Sequence, residues 1–148
     1  MNTARDSSRN TDEGTTAPSR YVGIGASAGG LEAIETFFKH TPAYSGLAYI
    51  VIQHLSPDYK SLMVELLSKH TEMPVHRAKE GLRVEPDHFH LNPPKKNLTI
   101  FHGKLLLKDQ DAQRGINLPI DIFLRSLAED QGEKAIAVIL SGTGRWHL

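Results

Sequence analysis

Val22-Gly23-Ile24-Gly25-Ala26-Ser27-Ala28-Gly29-Gly30-Leu31 sets the architecture of this chain. Its first half reads as a short apolar strand and its end opens a helix, with a serine held between small residues. In a Gly-x-Ser-x-Gly turn, neighbours such as Gly25, Ala26, Ala28 and Gly29 let the backbone turn tightly, so that the Ser27 hydroxyl protrudes. Backbone N–H groups opening the helix from Gly29 lie close by, where they can hold an anion or the oxyanion of an acyl transfer. The same residues also fit a dinucleotide-binding fingerprint, Gly23-x-Gly25-x-x-Ala28, in which those N–H groups would face a pyrophosphate. A third reading is a tight glycine turn in an α/β sheet with no chemistry.

The next strand separates these readings. Leu47-Ala48-Tyr49-Ile50-Val51-Ile52 is a continuous apolar run suited to a parallel strand buried on both faces. A dinucleotide site calls for Asp or Glu at the end of that strand to bind ribose hydroxyls, and the chain has Gln53-His54 there. A histidine at the carboxyl edge of an open α/β sheet, beside a serine turn, is placed to act as a general base.

Farther along, helices are expected over Leu31 to Lys39 and Tyr59 to His70. Val75 to Ala78, His88 to Asn92, Leu98 to Phe101 and Lys104 to Lys108 read as strands, the last two joined by a turn at His102-Gly103. Pro119 suits a first helical turn and Asp121 the positive end of its dipole, so a helix should run to about Asp130, ahead of a strand from Ala135 to Leu140. This alternation predicts an α/β fold: a doubly wound, mainly parallel, Rossmann-like sheet with an antiparallel hairpin excursion.

Composition narrows the function. Lys plus Arg and Asp plus Glu both number 17, so no net field draws in nucleic acid or an anionic membrane. With no cysteine, there are no disulfides, thiolate zinc sites or cysteine nucleophiles. Residues 1–19 are rich in Ser, Thr, Asn and charge, without the apolar run of a signal peptide or a membrane span, and are expected to form a disordered leader ahead of a folded domain at 20–148. A cytoplasmic protein without a cofactor is the expectation.

Five ordered blocks carry a resemblance: Val22 to Leu31; Ile52-Gln53-His54-Leu55-Ser56-Pro57; Glu80-Gly81-x-x-Val84-x-Pro86-x-His88; Leu118-Pro119-Ile120-Asp121; and Val138-Ile139-Leu140-Ser141-Gly142-Thr143-Gly144. Together they resemble the catalytic domain of the chemotaxis protein-glutamate methylesterases, in particular the version fused to a methyltransferase. The resemblance implies that Ser27 is the nucleophile and His54 its general base. It implies also that backbone N–H groups near Thr143 stabilise the oxyanion, and that the substrate is methylated glutamate on the cytoplasmic helices of a chemoreceptor. In chain order that family runs Ser, His, Asp, unlike the Ser, acid, His order of α/β-hydrolases. In the family a receiver domain precedes the catalytic one; the leader here is too short for one, so any regulation would come from elsewhere.

The triad acid of that family lies in a Gly-x-Asp-Gly sequence, whereas this chain reads Gly144-Arg145-Trp146-His147-Leu148. Trp146 occupies the aspartate position. For suitable codons Arg-Trp-His-Leu, read one base out of frame, gives Asp-Gly-Thr, so a frameshift that truncates the domain before its acid is the expectation. Asp58 and the terminal carboxylate are poor substitutes, and a non-catalytic remnant or a nucleotide-binding module are the rival readings. Among other features, His88-x-His90 has a metal-binding spacing on one strand face, but the sequence offers no third ligand at a suitable spacing, and surface histidines are expected. Lys95-Lys96 reads as a solvated loop, Leu62, Met63 and Leu66 as core, and Asp121 as structural.

Overall fold

The computed structural model describes residues 16–27, 30–53, 57–110 and 118–140, with the side chains of 57–62 outside that description. Among the described residues seven strands and three α-helices follow in the order β1 (Arg20–Ala26), α1 (Leu31–Lys39), β2 (Leu47–Gln53), α2 (Pro57–Ser68), β3 (Val75–Arg77), β4 (Phe89–Leu91), β5 (Lys96–Phe101), β6 (Lys104–Asp109), α3 (Pro119–Gln131) and β7 (Ala135–Leu140). A 3-10 turn at Gly132–Lys134 links α3 to β7.

Five strands form one parallel sheet in the order β3-β4-β2-β1-β7, and β5 with β6 forms a separate antiparallel hairpin. From β1 the chain moves outward through β2 towards β4 and β3, then returns to lay β7 on the other side of β1. The direction of winding therefore reverses beside β1, and in open α/β sheets the crevice at the carboxyl ends of strands at such a reversal is where ligands bind. The doubly wound, mainly parallel sheet with its hairpin excursion is the fold expected from the alternation of elements.

β1 and β2 are buried on both faces because helices or the hairpin cover each side. Val22, Ile24 and Ala26 of β1 join Tyr49 and Val51 of β2, Ile34 and Phe38 of α1, and Met63 and Leu67 of α2 in one core layer. Phe89 stacks between Phe38 and Tyr49, with ring centroids 3.6 and 4.7 Å apart. The opposite layer joins Tyr21, Ala48, Ile50 and Ile52 to Phe123 and Leu127 of α3 and to Leu98, Ile100 and Leu105 of the hairpin.

On that second face β1 carries no side chain at Gly23 and Gly25, and α3 fills the space. A Cβ at Gly25 would lie 2.5 Å from Ile120 Cγ2, and one at Gly23 would lie 2.7 Å from Leu124 Cδ2. The two glycines thus let a helix approach the strand, and are not an open cradle for a pyrophosphate. That counts against the dinucleotide reading.

The hairpin turn has both central residues at positive φ, His102 at 52° and Gly103 at 75°, as a tight two-residue connection requires. The Asp130 carboxylate at the end of α3 accepts from the His102 N–H at 2.6 Å and the Gly103 N–H at 3.0 Å. The segment before β4 joins the same assembly: the Gly81 N–H donates to the Leu105 carbonyl, the Val84 N–H to that of Gly103, and the Glu80 carboxylate accepts from the Leu107 N–H. Lys96, expected in a loop, lies in β5 and pairs with Asp109. Met63 is buried and Leu66 half-buried as expected, whereas the Leu62 side chain lies outside the described residues. Pro18 is buried and the Ser19 N–H donates to the Gly46 carbonyl at 3.0 Å; residues 1–15 lie outside the described residues.

Candidate active site

Ser27 follows β1 at the carboxyl edge of the sheet and is exposed. Its N–H donates to the Leu140 carbonyl at 3.4 Å, tying the end of β1 to the end of β7, and its carbonyl accepts from the Gly30 N–H at 2.8 Å. The Gly30 carbonyl then takes the Ile34 N–H as α1 begins. A Cβ at Gly30 would lie 3.0 Å from the Ser27 oxygen and 3.2 Å from the Ala26 Cβ, so the tight turn leaves little room for a side chain there. Glu32 in the first turn of α1 and Lys39 in its last complement the helix dipole.

His54 and Thr143 lie outside the described residues, as do Asp58's side chain and Trp146. What the fold contributes is the adjacency of the strands that precede them in sequence. β1 lies between β2 and β7, with Ala26 in register with both Gln53 and Leu140.

A residue not singled out from sequence fixes the end of β2. Asn92 Oδ1 accepts from the Gln53 N–H at 3.0 Å, and Asn92 Nδ2 donates to the Gln53 carbonyl at 3.2 Å. Both residues are buried. The Asn92 amide thereby extends the β4 ladder past Leu91 and holds the last described residue before His54. Only the pairing of β4 with β2 could have revealed this. Asp121 sits exposed in the first turn of α3, the helix start expected for it.

The histidines differ from expectation. His90 is fully buried, and its neighbour in register across β3 and β4 is His76, a third imidazole that the sequence spacing does not disclose. Burial pushes His90 down to about 4, so it is neutral at pH 7, and burial together with the neighbouring His88 lowers His76.

Strand-turn-helix serine, reversal of winding and a two-layer cover define a doubly wound α/β domain with an exposed serine at the carboxyl edge of its sheet. The model of the CheB methylesterase family matches residues 22–145, and the chain belongs to that family. A protein-glutamate methylesterase/protein-glutamine glutaminase of Nitrosospira multiformis is 28% identical over 130 residues, which cover 87% of this chain and 37% of that protein. One from Xanthomonas oryzae pv. oryzae is 33% identical over 129 residues, 84% of this chain and 36% of its own length. The chain therefore spans little more than a third of these curated relatives. The CheB methylesterase catalytic domain of Thermotoga maritima matches with a TM-score of 0.72 at 28% identity, over 86% of this chain and 69% of that one. Among the described residues no helix is long and apolar enough to cross a membrane.

Proposed function

We propose that this chain carries the serine and histidine of a protein-glutamate methylesterase site. The observation that carries the reading is the exposed Ser27 on a strand-to-helix turn, at the end of a strand bracketed by β2 and β7. His54 removes the Ser27 Oγ proton as Oγ attacks the carbonyl carbon of a glutamate methyl ester. Backbone N–H groups near Thr143 hold the oxyanion, the intermediate collapses with protonation and loss of methanol, and water then cleaves the acyl-serine to restore Ser27 and free the glutamate carboxylate. The substrate of this reading is a methylated glutamate on the cytoplasmic helices of a chemoreceptor, met in the cytoplasm, with no nucleic acid, cofactor or membrane insertion involved.

Trp146 in place of the family's aspartate sets the expected rate. A triad without its carboxylate loses the tautomer control and imidazolium stabilisation that the acid supplies, a cost on the order of 10⁴ in turnover. The test is labelling by a fluorophosphonate probe, with Ser27→Ala as control. Slow labelling confined to Ser27, accelerated by Trp146→Asp, supports the reading. No labelling of the folded chain in either background would instead favour a remnant without catalysis.

A further inference from the structure

We propose that His76, His88 and His90 together bind one divalent transition-metal ion of the zinc type, as a structural staple at the β3 edge of the sheet. The three residues each offer one ring nitrogen, and these nitrogens all lie within 4.8 Å of one another. His76 and His90 are register partners on neighbouring strands, with ring centroids 4.7 Å apart. His88, two positions before His90, brings its Nδ1 to 3.1 Å from His76 Nε2. Zinc–nitrogen bonds of about 2.0–2.1 Å in a tetrahedron place ligand nitrogens about 3.3 Å apart, so the His76–His88 pair already has that spacing and the widest pair has to close by up to about 1.5 Å.

His90 supplies the second, independent observation. Its Nδ1 lies 3.0 Å from the Tyr49 carbonyl oxygen, so Nδ1 is the protonated, donating nitrogen and Nε2 keeps its lone pair. Nε2 is buried and has no hydrogen-bond partner among the described residues. A buried acceptor left without a donor costs stability unless something coordinates it, and a backbone carbonyl behind the far ring nitrogen is how metal-ligating histidines are oriented. The Glu85 carboxylate, 4.0 Å from His88 Nδ1 and 41% exposed, is a candidate fourth donor, with water the alternative.

Three imidazoles without thiolate select an ion of borderline softness over Mg²⁺ or Ca²⁺, which prefer oxygen. The site is separated from β1 and Ser27 by β2, so the ion would not act on the chemistry at Ser27. It would join β3 and β4, each of only three residues, to the loop carrying Glu85.

The test is titration of the EDTA-stripped, dialysed full chain with ZnCl₂ against a chromogenic zinc indicator, with Mg²⁺ as control. The expected result is one Zn²⁺ per chain, and a rise in Tm of about 5–10 °C at a hundredfold excess over Kd. His76→Asn and His88→Gln, both at partly exposed positions, should each weaken binding at least about tenfold and remove the thermal shift, with far-UV circular dichroism unchanged. The proposal is overturned by absence of micromolar binding, or by one-to-one binding that survives both substitutions, which would place the ion on other surface histidines.

Discussion

Asn92 shows what a single side chain contributes to the site. It satisfies both backbone groups of Gln53 in a buried setting, so Asn92→Leu leaves a donor and an acceptor orphaned at the end of β2. The expected cost is about 2–4 kcal/mol in a urea melt, with faster hydrogen exchange at the Gln53 amide. An unchanged exchange rate would mean that some other group holds the strand end. Of the residues at this scale, Ser27 was legible because its turn chemistry is written in consecutive positions. Asn92 and His76 were not, since their partners lie on strands whose neighbours no local spacing reveals. The glycines were legible as special and ambiguous as to why; the answer is the proximity of Ile120 and Leu124.

Among the elements, α1 and β7 have the limits that periodicity and apolar runs predict, while α2 runs Pro57–Ser68 against an expected Tyr59 to His70. The hairpin is fastened at its turn by Asp130 of α3. Burial works upward on that carboxyl, but the Gln131 amide and the Gly103 and His102 N–H groups outweigh it and hold the group below the usual Asp value. A lowered folded value means stability that is present above the unfolded value, about 3.9, and lost as pH falls through the folded one. Asp130→Asn should therefore cost about 1 kcal/mol at pH 7, with the gap to the unsubstituted protein narrowing below about pH 4. Urea melts at pH 7 and pH 3 check this; a gap independent of pH would show that charge has no part in the clamp. What sequence could not supply here is that α3 and the hairpin share one layer, because the residues joining them are far apart along the chain.

For the molecule as a whole, strand order is the level least accessible from sequence: alternation of elements predicts a parallel sheet but not that β4 inserts between β3 and β2. The outer side of β7 has no strand partner among the described residues, and Ile139 of that strand is 60% exposed. Such an edge favours pairing between chains, so the 148-residue chain should self-associate with concentration, and Ile139→Lys should weaken this about fivefold or more in sedimentation velocity. Equal association by both would locate the contact elsewhere. The position of β7 has a further consequence, for biosynthesis. Tyr21 meets Ala135, so the strand ending at Ala26 emerges from the ribosome early and waits for a neighbour made much later. At about 5–20 residues per second that delay is roughly 6–23 s, during which one edge of β1 stays open to chaperones and to neighbouring nascent chains.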